Sequence, residues 1–496
     1  MATNSTTQTD FDVVIIGAGI SGIGAAYHLK THRPATSFAI LDGRSDIGGT
    51  WSLFKYPGIR SDSDMPTFGF GFKPWTHKQS IADAHVILDY LNEAVTENGI
   101  DEHIRFDTKV VSADFDTRTG RWSIHTVTGG QSATYTAKFV YSGTGYYNYE
   151  AGYTPEFPGI EDFGGQVIHP QHWPEDLDYH GKKVVVIGSG ATAVTLIPAM
   201  AGTAAHVTML QRSPSYVFSL PGEDAIANTL KKVMGPHRAY AITRRKNIAL
   251  NRGLFKACMR APSLMRRLLM ANVRWRLPKG FDVDTHFGPK YDPWDQRLCM
   301  VPNGDLFKAI SSGRASVATD QIDTFTETGI ALKSGQHLDA DIVVTATGLD
   351  LLPLGGIELS IDGAPVDIAD TVAYKAMMLS GVPNFVFAFG YTNLAWTLKV
   401  DLVCAHMIRL LDHMDAHGHT VVTPVLPGSG VERVPMLEMS SGYIQRKIAA
   451  FPKAGTTGPW TIKMAYEDDI ARLKHGPVTD PALRFSSPSA TRLVAS

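Results

Sequence analysis

The sequence predicts an α/β protein with at least two parallel-sheet domains, and three observations support that fold class. The apolar runs FDVVII at residues 11–16 and KVVVI at 183–187 are each followed by a glycine-rich turn and a stretch of helical character, as in a buried parallel strand that leads into a helix. A third apolar run, ADIVVTATG at 340–348, again ends in small residues. With 496 residues the chain is too long for one compact core, so two or more domains are expected.

The first strand–turn–helix unit contains the motif of a dinucleotide-binding site. In GAGISG, Gly17 permits a tight turn, Gly19 lets the backbone approach a pyrophosphate, and Gly22 allows close helix–strand packing. The helix that follows presents its N-terminal amides to the anion. The next strand, SFAILD at 37–42, ends at Asp42, whose carboxylate can accept hydrogen bonds from a ribose diol.

The second unit contains a related motif with the opposite charge at the end of its second strand. GSGATA at 188–193 has Ala193 in place of the third glycine, and the strand HVTMLQR ends at Arg212. A guanidinium can bind a 2′-phosphate through two hydrogen bonds, whereas a carboxylate would repel it, so this site is predicted to prefer NADP(H). The residues predicted to contact NADP here are Gly188, Ser189, Gly190, Thr192 and Arg212.

Two such sites in one chain predict two Rossmann-like dinucleotide-binding domains, one for FAD and one for NADPH. Hydride from the nicotinamide would reduce the flavin, which then passes its electrons to a further acceptor. The three cysteines form no CxxC motif, which argues against a disulfide acceptor and against a structural zinc site. Oxygen or another small acceptor remains, and no metal site is predicted.

Composition favours a globular protein of the cytoplasm. Hydrophobic residues make up 44% of the chain and charged residues 19%, with a formal net charge of −2. No apolar run approaches the roughly 20 residues that cross a bilayer, and the polar N-terminus MATNSTTQTD lacks the pattern of a secretory signal. We therefore predict a cytoplasmic protein without stable membrane insertion and without a nucleic-acid partner, and leave its oligomeric state open.

One segment departs from this charge balance. Residues 225–281 contain fourteen Lys and Arg and no Asp or Glu, in a chain with 46 basic and 48 acidic residues. Three interpretations are open: a solvated helical face, a surface that faces a polyanionic cofactor, or a membrane-surface patch. Nucleic acid is a weaker fourth, because few aromatic residues are interspersed. We predict a helical excursion that contacts NADPH or covers the active site, rather than one that binds lipid.

Two longer motifs point to a family. FGGQVIHPQHWP at 163–174 fits F-x-G-x-x-x-H-x-x-x-W-P, and GGTWSLFKYPGIRSD at 48–62 fits G-G-x-W-x4-Y-P-G-x3-D. With these fingerprints the chain resembles the Baeyer–Villiger monooxygenases, the class B flavoprotein monooxygenases. The stretches DQRLCMVPNGDLFKAI and PWTIK look most like the branch of the mycobacterial ethionamide-activating monooxygenase.

The resemblance implies a reaction and two catalytic residues. Ketones and sulfides are the implied substrates: a ketone, O2 and NADPH would give an ester or lactone through a C4a-peroxyflavin, with sulfoxidation as a side activity. Arg297 matches the family's cation beside the flavin, and Asp62 matches the acid that pairs with it. Two alternatives stay open: an S- or N-oxygenating flavin-containing monooxygenase, and a flavin-binding or electron-transfer protein that does not oxygenate.

The resemblance also implies roles for side chains outside the glycine-rich turns. His169 is expected to couple the two domains and to assist NADP binding, rather than to act as a base, and Trp396 is expected in the substrate pocket. The further residues expected to contact FAD are Gly49, Thr50, Trp51 and Asn393.

The order of the motifs predicts a discontinuous arrangement. The FAD domain is expected at residues 1–145 and 340–496, where its second part includes the C-terminal tail. The NADP domain is expected as an insertion at 146–339, with the helical segment at about 225–281.

Overall fold

The structure is a computed structural model that describes residues 9–296, 298–428, 431–437 and 439–487. Its strands are β1 (Asp10–Ile16), β2 (Phe38–Leu41), β3 (Ile104–Arg105), β4 (Lys109–Asp116), β5 (Arg121–Thr128), β6 (Gln131–Ser142), β7 (Tyr147–Gly152), β8 (Gln166–Ile168), β9 (Lys183–Ile187), β10 (His206–Gln211), β11 (Val217–Leu220), β12 (Cys299–Pro302), β13 (Ala315–Thr319), β14 (Ile322–Thr326), β15 (Gly329–Leu332), β16 (His337–Asp339), β17 (Ile342–Thr345), β18 (Leu349–Leu351), β19 (Glu358–Ile361), β20 (Ala364–Pro365), β21 (Ala373–Tyr374), β22 (Met378–Leu379), β23 (Phe385–Phe387), β24 (Val421–Pro424), β25 (Arg433–Pro435), β26 (Lys453–Gly455) and β27 (Leu483–Ser486).

The α-helices are α1 (Ile20–His32), α2 (Thr50–Leu53), α3 (Met65–Phe68), α4 (Ala84–Glu97), α5 (Ala191–Met200), α6 (Ala225–Met234), α7 (Pro236–Arg260), α8 (Pro262–Arg274), α9 (Val283–Phe287), α10 (Asp305–Ser311), α11 (Trp396–Ala416), α12 (Gly442–Gln445) and α13 (Tyr466–Asp469). A π-helical turn covers Ile470–His475. Within the described residues no helix is both long and apolar enough to cross a membrane.

Two sheets organise the molecule. The larger has nine strands in the order β20-β19-β4-β5-β6-β1-β2-β3, with β23 beside β6, and the smaller has five in the order β13-β10-β9-β17-β8. Every pairing in the smaller sheet is parallel. The predicted α/β class with parallel sheets is confirmed.

Both central strands are buried on two faces, which explains their continuous apolar runs. Along β1, Val13 and Ile15 pack in one core cluster while Val14 and Ile16 pack in another. The side chains of β9 alternate between two further clusters in the same way. Because successive side chains of a strand point to opposite faces, a strand with layers on both sides must be apolar at every position.

The chain crosses between the two sheets twice. β7 carries it from the first sheet to the second, β18 carries it back, and the two crossing segments pair antiparallel. β17 lies between β8 and β9 in the smaller sheet, although a domain boundary at 339/340 would group it with the first domain. The domain division remains a proposal, and a return crossing after β17 agrees better with the sheet pairing.

The basic segment folds into α6, α7 and α8. Asp224 caps α6, because its carboxylate accepts a hydrogen bond from the Ala227 amide at 2.9 Å. Only Ala261 lies between α7 and α8. None of residues 225–281 lines the main cavity described below, and their predicted contact with NADPH or cover over the active site stays a prediction.

Candidate cofactor and active site

One cavity of about 460 Å³ brings most of the predicted site together. It is bordered by the first glycine-rich turn, the fingerprint at 48–62, the crossing segment β7 and the N-terminal turn of α5. The predicted site residues that line it are Gly17, Gly19, Asp42, Gly49, Thr50, Trp51, Asp62, Thr192 and Trp396.

The first glycine-rich turn has the geometry that the motif predicts. Gly17 has φ of +98°, and a Cβ there would lie 2.9 Å from the carbonyl oxygen of Gly143, so a larger residue would be both strained and crowded. A Cβ on Gly22 would lie 1.9 Å from the carbonyl oxygen of Gly17. These close approaches let α1 begin at the cavity, where its N-terminal amides can receive a phosphate.

Asp42 lies at the carboxyl end of β2 and is buried. One carboxylate oxygen accepts a hydrogen bond from the Ala18 amide at 2.6 Å, and the other accepts one from the Arg44 amide at 2.8 Å. Burial raises the pKa of this carboxyl group, while the two amides act in the opposite direction. Since each carboxylate oxygen has a second lone pair, Asp42 is fixed in orientation and keeps acceptor capacity for a ribose.

Aromatic side chains form a further part of the cavity wall. Trp396, the first residue of α11, donates a hydrogen bond from Nε1 to Oγ of Ser21 at 2.8 Å, which ties α11 to α1. Its ring lies 5.5 Å from that of Tyr146 and 5.7 Å from that of Phe389. Trp51 also lines the cavity and packs edge-on against Phe68. A flat, apolar ring system fits between such walls.

The fingerprint at 48–62 borders the cavity and also contacts α5 and α10, the helices that pack on the smaller sheet. Arg60 donates a hydrogen bond from Nη1 to Asp305 of α10 at 2.5 Å. A Cβ on Gly58 would lie 2.6 Å from the Cβ of Ala199 on α5. Burial raises the pKa of Tyr56 to about 12, and its hydroxyl is hydrogen-bonded to Thr192. This segment therefore joins the two layers next to Asp62.

Two residues, Asp62 and Arg297, are predicted to be catalytic, and the structure describes only Asp62. Asp62 lines the cavity, and Ser63 donates a hydrogen bond to it at 3.3 Å. Arg297 lies outside the described residues. Its role, and its pairing with Asp62, therefore stay predictions.

Of the second glycine-rich motif, only the residues that begin α5 border the cavity. Ser189 donates a hydrogen bond from Oγ to the carbonyl oxygen of Ser213 at 3.0 Å, which joins the turn to the residues after β10. A Cβ on Gly190 would meet no atom within 4 Å, so the turn is open to a ligand. Gly188, Ser189, Gly190 and Arg212 do not line the main cavity, whereas Thr192 does.

Arg212 directly follows β10 and is exposed. In the part of the chain that the structure describes, no carboxylate forms an ion pair with it. A free guanidinium beside an open glycine turn has the chemistry that a 2′-phosphate requires. The prediction for this residue is compatible with its position and remains to be tested.

His169 lies against the paired chain crossings. Its Nδ1 accepts a hydrogen bond from the Gln171 amide at 3.2 Å, so Nε2 carries the proton and lies 3.3 Å from the carbonyl oxygen of Gly348. A Cβ on Gly152 would lie 1.9 Å from the imidazole ring. Burial lowers the pKa of His169. The residue is placed to couple the crossings, and its contribution to NADP binding remains a prediction.

Asn393 is not among the residues that line the cavity, although its neighbours Thr392 and Leu394 are. Its Nδ2 donates a hydrogen bond to the carbonyl oxygen of Met464 at 3.0 Å. Its Oδ1 is buried, with no hydrogen-bond partner in the described part of the chain. The predicted contact with FAD would have to be made by the backbone of this loop or after a side-chain rotation.

Sequence reasoning missed a buried polar network at the cavity. Tyr391 lines the cavity and donates a hydrogen bond to Asp469 at 2.6 Å, and Lys399 pairs with the same carboxylate oxygen at 2.9 Å. Burial lowers the pKa of Lys399 and raises that of Tyr391. Asp469 is 78 residues from Tyr391, so no local pattern could have indicated the network.

The match to a family model shows the family of this chain. The model of the flavin-binding monooxygenase-like family matches residues 11–352. The chain belongs to this family. It is also 52% identical over 477 residues to the FAD-containing monooxygenase EthA of Mycolicibacterium smegmatis, covering 96% of this chain and 97% of the relative. The resemblance inferred from the two fingerprints, including its mycobacterial branch, is confirmed.

Two solved structures show the same fold at low identity. A steroid monooxygenase bound to NADP is 23% identical with a TM-score of 0.77, covering 97% of this chain and all of the other, 100%. Cyclohexanone monooxygenase bound to ε-caprolactone is 19% identical with a TM-score of 0.75, covering 96% and 100%. These likenesses confirm the predicted fold class.

Proposed function

We propose that the chain is an NADPH- and O2-dependent flavin monooxygenase that converts ketones to esters or lactones. The observation that carries this proposal is the shared cavity. The first dinucleotide-binding turn, Asp62 of the fingerprint and the N-terminus of α5 all border it. Two cofactor motifs and the acid of the fingerprint thus meet where a substrate could bind.

The residues present fit FAD at the first motif. Gly17 and Gly19 leave room for a pyrophosphate, Asp42 keeps acceptor capacity for the ribose, and Trp51 and Trp396 border the apolar part of the cavity. The EthA relative is named as FAD-containing. FAD bound here and reduced by NADPH would supply the two electrons with which one atom of O2 enters the substrate and the other leaves as water.

The second motif fits NADPH for electrostatic reasons. Gly190 leaves the turn open, and Arg212 offers a guanidinium with no acidic partner among the described residues. The related steroid monooxygenase is described as bound to NADP. Thr192 lines the cavity at the start of α5, so a dinucleotide held here would extend toward the flavin.

The chain's own contribution to the reaction is positional and electrostatic. Addition of oxygen to a ketone carbonyl develops negative charge, which a fixed cation stabilises most where water is excluded. Arg297 would supply that cation, and Asp62 would hold it in place and keep it charged. Trp51, Trp396 and Phe389 line the same cavity as Asp62 and would limit water there once the cofactor and substrate are bound.

Replacement of the proposed cation tests this assignment. In Arg297→Ala we expect NADPH to reduce the flavin at a near-normal rate, while ester formation falls by about 100-fold or more and hydrogen peroxide is released instead. Arg297→Lys, which keeps the charge, should retain more ester formation than Arg297→Ala. Stopped-flow absorbance, ester quantification and peroxide assay measure the three quantities. Ester formation at the wild-type rate in Arg297→Ala would refute the role.

Product analysis distinguishes the candidate reactions. A ketone and a thioether are offered together with NADPH, FAD and O2, and the products are identified by mass spectrometry. We expect ester or lactone formed in a 1:1 ratio to NADPH consumed, with one oxygen atom from 18O2 in the product. Sulfoxide alone would assign an S-oxygenating enzyme, and NADPH oxidation that neither compound stimulates would assign an electron-transfer protein.

A further inference from the structure

The surface formed by α6, α7 and α8 is strongly basic. Its residues, 225–281, include fourteen Lys and Arg and no acidic residue. Some of these bases are neutralised by other segments: Lys246 pairs with Asp224, and both Arg252 and Lys256 pair with Glu467. Six exposed bases form no ion pair with a carboxylate of the described chain: Lys232, Arg238, Arg245, Arg260, Arg267 and Lys279.

The same surface exposes large apolar side chains. Twelve large hydrophobic residues are exposed in the described chain, and eight of them lie between residues 226 and 275. The eight are also the most exposed, at 45–81% against 38–41% for the other four. Isolated apolar residues on a surface are ordinary, but the concentration of eight in this one segment indicates an interaction site. The eight are Ile226, Val233, Ile242, Leu250, Met259, Leu264, Leu268 and Trp275.

On α8 the apolar and basic residues follow the helix period. Leu264 and Leu268 of α8 and Trp275, which directly follows α8 in helical conformation, are spaced by four and seven residues, which places them on one stripe. Trp275 is 81% exposed. Arg267 and Arg274 are seven residues, or about two helical turns, apart, and both lie beside that stripe. The opposite face of α8 is buried through Leu269, Met270 and Val273.

The helices that carry this surface are firmly attached to the rest of the protein. Arg244 of α7 donates hydrogen bonds to the carbonyl oxygens of Pro66, Thr67 and Gly69 at 3.0, 2.9 and 2.6 Å. Tyr240 donates one to the carbonyl oxygen of Phe70 at 2.8 Å. The apolar side chains are therefore exposed while the helix is held by its other face, and not because the helix is unattached.

A cleft lies beside Trp275 at the end of the stripe. It is lined by Trp275, Leu220, Arg276 and Lys308 among others. The guanidinium of Arg276 lies 4.9 Å from the centre of the Trp275 ring, in a cation–π arrangement. An exposed indole beside two bases suits the boundary between acyl chains and phosphate headgroups.

We propose that α6, α7 and α8 form a peripheral binding surface for bilayers that contain anionic phospholipids. The helices lie on the bilayer: the bases contact headgroup phosphates, and the apolar stripe of α8 enters the interface. A second copy of the chain fits this surface poorly, because a symmetric contact would place like charges opposite each other. Nucleic acid would use the bases but leave the apolar stripe in water.

Vesicle sedimentation of the full-length protein tests the proposal. We expect binding to vesicles of phosphatidylcholine with 30% phosphatidylglycerol, little binding to phosphatidylcholine alone, and loss of most binding in high salt. Arg260→Glu/Arg267→Glu should weaken binding by about tenfold or more, and Leu264→Ser/Leu268→Ser should weaken it at low and high salt alike. Lys333→Glu, an exposed base outside this surface, is the matched control and should bind as the wild type does.

The thermal unfolding midpoint confirms that each variant is folded. Equal binding to neutral and anionic vesicles, no vesicle binding, or undiminished binding of both double variants would each overturn the proposal. So would a light-scattering measurement in which Leu264→Ser/Leu268→Ser converts an oligomer to a monomer without altering vesicle binding, since that result assigns the face to a second copy.

Discussion

Two charged residues at corresponding positions distinguish the two nucleotide motifs. Asp42 is buried at the end of β2 and held by two backbone amides, whereas Arg212 is exposed just after β10. The buried carboxylate is suited to a neutral ribose diol that approaches from inside the cavity. The exposed guanidinium is suited to a dianionic 2′-phosphate, which it would meet at the surface.

Arg212→Ala tests this difference. We expect the KM for NADPH to rise by about tenfold or more, because a charge-assisted contact to phosphate contributes about 1.5–3 kcal/mol, while the KM for NADH changes little. Steady-state kinetics with both nucleotides measure the ratio. Lys182→Ala, which removes an exposed base before β9, serves as the control. An unchanged preference for NADPH would show that another cation binds the phosphate.

At the scale of elements, the fingerprint at 48–62 acts as a connection between the two sheet layers. Its N-terminal half borders the cavity, and its C-terminal half contacts α5 and α10 through Gly58 and Arg60. Asp62 follows that contact by two residues. Its position therefore depends on how firmly this segment is attached to the second layer.

The Arg60–Asp305 pair offers a measure of that attachment. Both side chains are largely buried, so we expect Arg60→Met to lower the free energy of unfolding by about 1–3 kcal/mol. A double-mutant cycle with Asp305→Asn should give a coupling energy of about 1–2 kcal/mol. The exposed Lys183–Asp339 pair is the control and should show no measurable coupling. Denaturant titrations supply the values, and absent coupling for Arg60 would contradict the proposed connection.

At the scale of the whole molecule, the C-terminal part covers α11 and buries ionisable groups. His406 is 1% exposed, and its Nδ1 lies 2.9 Å from the carbonyl oxygen of Leu473, to which it donates a hydrogen bond. Burial, together with Lys375 and other nearby cations, lowers the pKa of His406 to about 4. The folded protein therefore holds this histidine neutral.

The neutral His406 predicts acid sensitivity. Between pH 6.5 and about 4 the unfolded chain binds a proton that the folded chain does not, so stability rises with pH across this window and is lost as pH falls. This group alone accounts for about 3 kcal/mol. We expect His406→Gln to flatten the pH dependence of the unfolding free energy, and the exposed His237→Gln to leave it unchanged. An equal slope in wild type and His406→Gln would contradict the prediction.

Motifs whose function depends on local backbone geometry were readable from the sequence. Gly17 and Gly22 are required by contacts within one strand–turn–helix unit, so their spacing alone predicts the turn. The apolar runs of β1 and β9 predict burial on both faces because parallel sheets are covered twice. For residues 225–281 the charge pattern predicts contact with NADPH or a cover over the active site rather than lipid binding, and it does not indicate which side chains of these helices are exposed.

The sequence by itself determined the fold class, the family and the two nucleotide motifs, since each rests on neighbours within about thirty residues. Only the tertiary structure decided that the fingerprint joins two layers at the cavity and that Tyr391, Asp469 and Lys399 form one network. It also decided that Leu264 and Leu268 of α8 face outward while Leu269, Met270 and Val273 are buried. These features depend on contacts between residues far apart in the chain, and such contacts are selected by packing of the whole molecule rather than by local pattern.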